Sequence, residues 1–401
     1  MSRIADCFTT LPVHEALPAL RTALGVSTRA VLAAPPGAGK TTLVPLDLLE
    51  ADWCTGKIIL IEPRRLAARA AARRMAAMLS EQAGETVGYR MRLDNRVSAK
   101  TRIEVVTEGV FTRMALDDPE LSGISCVIFD EFHERALEAD FGLALALDIQ
   151  GALREELRIL VMSATLDTER VAGLMETSAI VESAGRAFPV DIRHADRPGG
   201  ERIEETMVRT IRRLHAEEEG SILAFLPGQG EILRVADMLG DTLGPKTSVH
   251  PLYGGLSGDE QDRAIRPVEP DIRKVVLATP VAESSITIDG VTIVVDSGLV
   301  RQPVLEPDTG ITRLETVRAS RPEPGAVAGA CKSALWSAEP GSGASGLPAG
   351  SRSGVAIKYR QVVHHAYVGP PKPSTGPRTR TKQAHTRSKQ TPTVLGKVSS
   401  F

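Results

Sequence analysis

Eight short runs of apolar residues, rich in valine and isoleucine, recur through the first 300 residues of the chain. Near-continuous apolar runs of this length predict strands of a parallel sheet that is covered on both faces. Several are followed by stretches such as "RRLAARAAARRMAAMLSEQ", where alanine favours helix and the arginines keep one face in water. The alternation predicts a doubly wound α/β architecture. The runs are AVLAA, KIILIE, RIEVVT, CVIFD, RILVMSA, SILAFLP, KVVLATP and VTIVVD.

The segment "SAGRAFPVDIRH", residues 183–194, separates five of these runs from the other three. Its Gly185 and Pro189 are typical of a break between folded units. We therefore predict a first domain over residues 1–184 and a second over residues 185–318. A chain of 401 residues is long enough for each domain to bury its own core.

The residues from 319 onward differ in kind from those before them. They contain 12 Lys or Arg and 2 Asp or Glu, net +10, whereas the first 318 residues contain 36 and 48, net −12. Gly, Pro, Ser and Thr dominate this basic segment, which has too few apolar residues to offset the entropy of ordering. We expect residues 319–401 to be a disordered tail. It is either a nucleic-acid-binding arm or an out-of-frame product.

Composition excludes several other classes. No run of 18 apolar residues predicts a membrane span, and the first residues lack the basic and apolar regions of a secretory signal. The four cysteines contain no C-x-x-C pair, which argues against zinc or a disulfide framework and favours a reducing compartment. We expect a cytoplasmic protein with no membrane partner.

The loop "AAPPGAGKTT", residues 33–42, has the chemistry of a phosphate-binding loop between a strand and a helix. Its Ala34 stands where the P-loop pattern has its first glycine, a position distant from the phosphates. Backbone N–H groups would cradle phosphate oxygens, Lys40 would reach the outer phosphates and Thr41 would hold magnesium. The alternative is an ordinary Gly/Pro turn before Lys-Thr. The predicted ATP-binding set is Pro36, Gly37, Ala38, Gly39, Lys40, Thr41 and Thr42.

Two acidic residues, Asp130 and Glu131, end the strand in "CVIFDEFHER". Adjacent carboxylates at a strand end point in different directions, so Asp130 can hold a metal while Glu131 orients an attacking water. The alternative is a solvated acidic turn with His133 and Arg135 as surface partners.

After another strand, the Ser163 and Thr165 hydroxyls of "VMSATLD" could bond to the acidic segment, or could simply cap a helix. Arg64 and Arg65 follow a strand in "EPRRLAARA", and Thr107 follows another in "VVTEGVFTR". Such groups can bind a sugar-phosphate backbone without reading bases, or can belong to solvated helix starts. The net charge of −12 in this part predicts a basic site confined to a cleft.

In order along the chain, a series of segments resembles the successive signatures of DEAH-box helicases, and most closely those of the bacterial HrpB-type branch. The likeness covers about residues 11–318, and its acidic box has phenylalanine where most members have alanine. It implies two RecA-like domains, ATP and magnesium in the cleft between them, and single-stranded or partly duplex RNA, possibly DNA, lying across both. The segments are PPGAGKT, PRRLAA, TEG, DEFHER, SAT, GRAFPV, FLPGQGEI, LYGGLS and LATPVAESSITIDGVTIVVDSG.

The resemblance also implies a role for each matched residue. Lys40 and Thr41 would bind phosphates and magnesium, Asp130 the metal and Glu131 the water. His133 would connect the nucleotide to the second domain, and Ser163 and Thr165 would couple hydrolysis to opening of the duplex. The residues that would contact the nucleic-acid backbone are Arg64, Arg65, Thr107 and Thr279. The stretch 301–314 matches the strand-separating β-hairpin of the family, with "DTG" as its turn.

The likeness breaks after "ITRLETVR". Family members continue to a Q-R-x-G-R-x-G-R motif whose arginines reach the γ-phosphate, and residues 319–401 contain no such cluster. The faint echoes "EPG" and "LWSAE" favour a frame disruption, which would leave the second domain incomplete. The hypotheses are a truncated or frame-disrupted ATP-dependent RNA helicase, and a nucleotide- and RNA-binding remnant with impaired hydrolysis. An unrelated P-loop ATPase or kinase would leave the later motifs unexplained.

Overall fold

The fold is taken from a computed structural model, and Thr165, the hairpin turn and most of the basic tail lie outside the part it describes. The described residues are 11–164, 168–177, 179–183, 190–195, 200–269, 271–279, 288, 290–306, 310–318 and 363–368.

The first half of the chain alternates strands and helices around one mixed sheet. Its strands are β1 Arg29–Ala33, β2 Lys57–Glu62, β3 Val87–Met91, β4 Asp94–Arg96, β5 Ile103–Thr107, β6 Ile124–Phe129, β7 Arg158–Ser163 and β8 Ile180–Glu182. Its helices are α1 Leu17–Val26, α2 Lys40–Leu48, α3 Arg65–Met78, α4 Glu108–Asp117, α5 Leu137–Ala152 and α6 Thr168–Leu174, with short 3₁₀ turns at Pro12–Ala16 and Phe132–Glu134.

The strand order of this sheet is β4-β3-β5-β2-β6-β7-β1-β8, and its strands run parallel except in the β3–β4 pair. Alternate residues of each central strand face opposite sides. In β2, Ile58 and Leu60 enter one apolar cluster, and Ile59 and Ile61 enter another. Helices cover both clusters, so the predicted doubly wound architecture is confirmed. The carboxyl ends of β1, β2, β6 and β7 consequently meet along one edge of the sheet.

A second sheet begins at residue 190. Its strands are β9 Val190–Ala195, β10 Ser221–Phe225, β11 Thr247–Leu252, β12 Arg273–Ala278, β13 Val291–Asp296 and, far along the chain, β16 Val363–Val368. Its helices are α7 Ile203–Glu217, α8 Gln229–Leu239 and α9 Gly258–Ile265, with a 3₁₀ turn at Gly240–Leu243. The predicted domain bounds stay predictions, because nothing beyond these elements tests residues 184 and 318 as limits.

The second sheet has the order β11-β12-β10-β13-β16-β9. Strand β16 pairs in parallel with β13 on one side and β9 on the other. The disorder expected of residues 319–401 stays a prediction, because only residues 363–368 of that segment are described. The segment "VHHAYV" contains β-branched and aromatic residues, which favour strand.

Strands β14 Leu299–Glu306 and β15 Ile311–Arg318 form a separate antiparallel hairpin, which contains the predicted 301–314 segment. Gly310 adopts a φ of 65° at the start of the return strand, a left-handed conformation that favours glycine. Leu305, Ile311 and Leu314 of this hairpin are exposed. None of the helices in the described part of the chain has the length and apolarity needed to cross a lipid bilayer.

Helix α3 connects the two sheets. Leu66 and Ala67 at its start pack with apolar residues of the second sheet. Farther along, Arg69 Nη2 donates to Gln261 Oε1 at 3.2 Å, and Arg73 forms an ion pair with Asp262 on α9. The helix that follows β2 therefore belongs to the core of one domain and to the contact surface of the other.

Candidate nucleotide site

The loop between β1 and α2 has the backbone of a phosphate-binding turn. Gly37 and Gly39 take φ values of 76° and 88°, which are left-handed conformations. The φ of Gly39 favours glycine, and a Cβ there would also lie 2.8 Å from Leu11 Cδ1 and displace that side chain. Ala34 is buried, and its N–H donates to the Ser163 carbonyl at 3.0 Å. Since Ala34 is absent from the residues with positive φ, its methyl group is accommodated without backbone strain.

The acidic residues lie directly after β6, beside β2. The Asp130 N–H donates to the Ile61 carbonyl at 3.0 Å, and the Glu131 N–H donates to Asp130 Oδ1 at 2.8 Å. Glu131 has a φ of 49°, which is uncommon for a residue with a side chain. The chain therefore turns sharply after the strand, and the two carboxyl groups project differently, as the sequence predicts.

Lys40 and Thr41 at the start of α2 each contact one of these carboxyl groups. Lys40 Nζ lies 2.9 Å from Glu131 Oε1, and both side chains are less than a tenth exposed. The Thr41 hydroxyl donates to Asp130 Oδ2 at 2.5 Å. The residues that the sequence assigns to phosphate, metal and water thus form one buried cluster, drawn from positions about 90 residues apart.

Electrostatics within this cluster favour a charged lysine. Burial lowers the pKa of Lys40, but the carboxyl groups of Glu131 and Asp130 more than offset it, and the pKa lies above its ordinary value. For Asp130, burial raises the pKa, and the opposing effects of Lys40 and Thr41 do not cancel it. A cation close to Asp130 would favour its ionised form. The oxygen set of Thr41 and Asp130 therefore fits a hard cation such as magnesium.

His133 joins the acidic turn to the end of β7. Its Nδ1 lies 3.2 Å from Glu131 Oε2, and the Ala164 N–H donates to the same nitrogen at 3.3 Å. Ser163, buried at the end of β7, lies next to the P-loop through the pairing of β1 with β7. Ser163, Ala164 and His133 are thus close together, whereas Thr165 lies outside the described residues.

The residues predicted to bind the nucleic-acid backbone from the first domain lie at the carboxyl ends of β2 and β5. Arg64 Nη2 contacts Glu134 Oε2 at 3.2 Å, which connects the segment after β2 with the acidic turn. Arg65 Nη2 donates to the Arg92 carbonyl at 3.1 Å and is exposed. Thr107 immediately precedes α4. These positions share one edge of the first sheet, but their contact with nucleic acid stays a prediction.

Thr279 belongs to the second domain, directly after β12. Its N–H donates to the Leu252 carbonyl at 3.2 Å, which extends the pairing of β12 with β11. Its hydroxyl is buried and has no hydrogen-bond partner among the described residues. Residues 280–287, which follow Thr279 directly, lie outside the described part. The structure therefore gives Thr279 a place at a strand end, like Thr107, without bringing it to the P-loop cluster.

Sequence reasoning missed one member of the nucleotide cluster. Glu62, the last residue of β2, is fully buried, and the charges of Asp130, Glu131 and Lys40 act on it. In the sequence "KIILIEPRR", Glu62 resembles the ordinary polar residue that ends many strands. The signal that could have found it is position, because Glu62 ends the strand that neighbours the strand of Asp130.

Both halves of the chain match known helicase domains. Residues 15–173 match the DEAD/DEAH box helicase family, and residues 204–315 match the helicase conserved C-terminal domain. The ATP-dependent RNA helicase HrpB of Escherichia coli (strain K12) is 50% identical over 313 residues, which are 78% of this chain. The chain spans 39% of the length of that relative.

Two crystal structures have the same fold. The Escherichia coli DEAH/RHA helicase HrpB superposes with a TM-score of 0.77 at 45% identity, over 90% of this chain and 42% of that one. The E. coli DExH-box NTPase HrpB gives 0.70 at 44% identity, over 91% and 42%. With the two domain matches and the ordered P-loop and acidic turn, these likenesses make this chain a member of the DEAD/DEAH box helicase family.

Proposed function

We propose that this chain is the nucleotide-hydrolysing part of an ATP-dependent RNA helicase of the DEAH type, acting in the cytoplasm. The observation that carries the proposal is the buried cluster in which Lys40 contacts Glu131 and Thr41 contacts Asp130. A lysine and a threonine at a helix start, facing two carboxyl groups at a neighbouring strand end, are the parts that P-loop ATPases use.

In this proposal the P-loop from Pro36 to Thr42 holds ATP, and the backbone N–H groups that follow Pro36 donate to its phosphates. Lys40 leaves Glu131 to bind the outer phosphates, and Glu131 then orients the attacking water. Thr41 and Asp130 hold magnesium, which when bound neutralises charge on the phosphate oxygens. His133 and Ser163 contribute by fixing the acidic turn against the P-loop strand.

RNA is the proposed partner, single-stranded or partly duplex, because the E. coli relative HrpB is an RNA helicase. The same backbone contacts would also allow DNA. Arg64, Arg65 and Thr107 would bind its backbone from the first domain, and Thr279 from the second. Coupling between RNA and nucleotide would pass through the Arg64–Glu134 pair, which ties the first basic position to the acidic turn. Thr165 is proposed to contribute on sequence alone.

The substitution Lys40→Ala tests the nucleotide site. We expect it to weaken binding of a fluorescent ATP analogue at least about tenfold, because a charge-assisted contact contributes ~1.5–3 kcal/mol. Equilibrium titration in the presence of magnesium measures the affinity, and circular dichroism verifies that the variant is folded.

The matched control is Lys57→Ala. Lys57 begins β2, at the end of the strand opposite to the site, and pairs with Glu104 at 3.5 Å. We expect nucleotide affinity in this variant to equal that of the parent. Unchanged affinity in a folded Lys40→Ala variant would refute the nucleotide site.

A further inference from the structure

Glu62 occupies a position where a polar side chain is costly. It is the last residue of β2, between β5 and β6, and its side chain has no exposed surface. Burying a carboxyl group without a partner costs several kcal/mol, so such groups are rare unless they serve a purpose. Both Glu62 oxygens lack a hydrogen-bond donor among the described residues.

The neighbours of Glu62 are the residues of the nucleotide cluster. Its carboxyl group contacts that of Asp130, and it also experiences the charges of Glu131 and Lys40. Three carboxyl groups thus face one lysine.

A hydrated divalent cation would satisfy this arrangement. Magnesium keeps several of its water molecules and is held directly by only one or two protein oxygens. Thr41 and Asp130 would provide the oxygens that bind the metal directly. The carboxyl group of Glu62 could then accept a hydrogen bond from a water molecule on the metal. A buried acceptor without a donor beside a metal ligand is the feature expected of a group that waits for such a water.

We propose that Glu62 is a positioning residue of the magnesium site, whose carboxylate accepts a hydrogen bond from a water molecule bound to the metal at Thr41 and Asp130. This inference rests on the proposed function. Glu62 does not touch the nucleotide in this proposal. It sets how tightly the metal is held and how Asp130 is oriented, as outer carboxyl groups do around other metal ions.

The substitution Glu62→Gln separates metal affinity from nucleotide affinity. Magnesium is titrated into the complex with a fluorescent ADP, and manganese binding to the same complex is measured by electron paramagnetic resonance. We expect the metal dissociation constant to rise about 10- to 100-fold. Affinity for ADP in the presence of EDTA should stay equal or increase, because one negative charge near the phosphates has been removed. Metal affinity within twofold of the parent value would overturn the proposal.

Glu104→Gln is the matched control. Glu104 is a buried carboxylate of the same sheet, on β5, and it pairs with Arg90 and Lys57 away from the site. Removal of the Glu104 carboxylate should leave metal affinity unchanged. An equal decrease of metal affinity in both variants would assign the effect to the sheet as a whole and refute the role of Glu62.

Two further results keep the proposal testable on its own. If Glu62→Gln does not fold, Glu62→Asp replaces it as the test, because its side chain is shorter by one methylene. We expect this variant to bind the metal severalfold more weakly. An unchanged metal affinity would overturn the proposal. The proposed function fails differently, through ADP binding that does not depend on Lys40.

Discussion

At the scale of single residues, the acidic box has Phe132 where the more common sequence Asp-Glu-Ala-His has alanine, and the surroundings of Phe132 show what the larger side chain does. Its ring is 2% exposed and packs edge-on against Phe129 at 6.4 Å, and Phe129 packs edge-on against Phe111 at 5.7 Å. Glu131 and Arg135, on either side of this turn, both adopt positive φ. Such backbone persists only where its surroundings fix it, and the aromatic contacts supply that constraint.

The substitution Phe132→Ala tests this anchoring. We expect it to cost about 3–5 kcal/mol of unfolding free energy in the first domain, as other buried phenylalanines do. It should also weaken nucleotide binding, because the turn that holds Glu131 against Lys40 is released. Chemical denaturation and nucleotide titration measure the two effects.

Phe141→Ala provides the comparison, since the Phe141 ring on α5 is 55% exposed. This second substitution should change stability by less than about 1 kcal/mol and leave nucleotide affinity intact. Equal losses in the two variants would contradict an anchoring role for Phe132.

How far the site could be predicted from sequence depends on the residue. Lys40, Thr41, Asp130 and Glu131 follow strands in recognisable local patterns, so their juxtaposition at one sheet edge could be foreseen. Glu62 lacks such a local pattern, and only the pairing of β2 with β6 places it beside Asp130.

At the scale of elements, α3 combines two tasks. Arg64 and Arg65 at its start lie at the predicted RNA edge, and Arg73 farther along pairs with Asp262 of the second domain. A rigid helix with contacts at both places would transmit a shift at one to the other.

The Arg73–Asp262 pair should contribute to holding the two domains together. We expect Arg73→Gln and Asp262→Asn each to increase the radius of gyration of the nucleotide-free protein, because either change removes the same ion pair. The double variant should resemble the single ones, since the coupling is lost only once. Small-angle scattering measures the radius.

Arg74→Gln controls for the loss of an arginine from α3, because Arg74 is an exposed neighbour for which no contact to the second domain is described. It should leave the radius unchanged. If all four variants have the same radius of gyration as the parent protein, the Arg73–Asp262 pair does not hold the domains together.

The elements that sequence reasoning found are those whose burial is nearly complete. β10 and β12 are almost wholly buried, and their apolar runs predict them as strands. β11 was missed because it lies at the edge of its sheet, where His250 and Pro251 are tolerated and the apolar pattern is weak. β16 was not predicted, because it is a short strand within a polar, basic segment.

At the scale of the whole molecule, the distribution of parts limits what the chain can do alone. The described residues contain the P-loop, the acidic turn and both strands of the hairpin, and the chain spans 39% of the length of its HrpB relative. The sequence after residue 318 has no Q-R-x-G-R-x-G-R motif. By the resemblance, arginines at that place would reach the γ-phosphate and would stabilise the charge of the transition state, whereas the P-loop would already bind the phosphates in the ground state. Binding and turnover should therefore separate in this chain.

We accordingly expect RNA-stimulated ATP hydrolysis about 10³-fold or more below that of the E. coli relative assayed alongside it, since a missing arginine finger costs a factor of 10³–10⁵. A coupled ATPase assay with and without single-stranded RNA measures the rate. Binding of a fluorescent nucleotide in the same preparation establishes that the site is intact. A robust RNA-dependent rate that Lys40→Ala abolishes would instead mean that another basic group of this chain, or a second copy of it, supplies the missing charge. Slow turnover with intact binding would favour the alternative function, a nucleotide- and RNA-binding remnant with impaired hydrolysis.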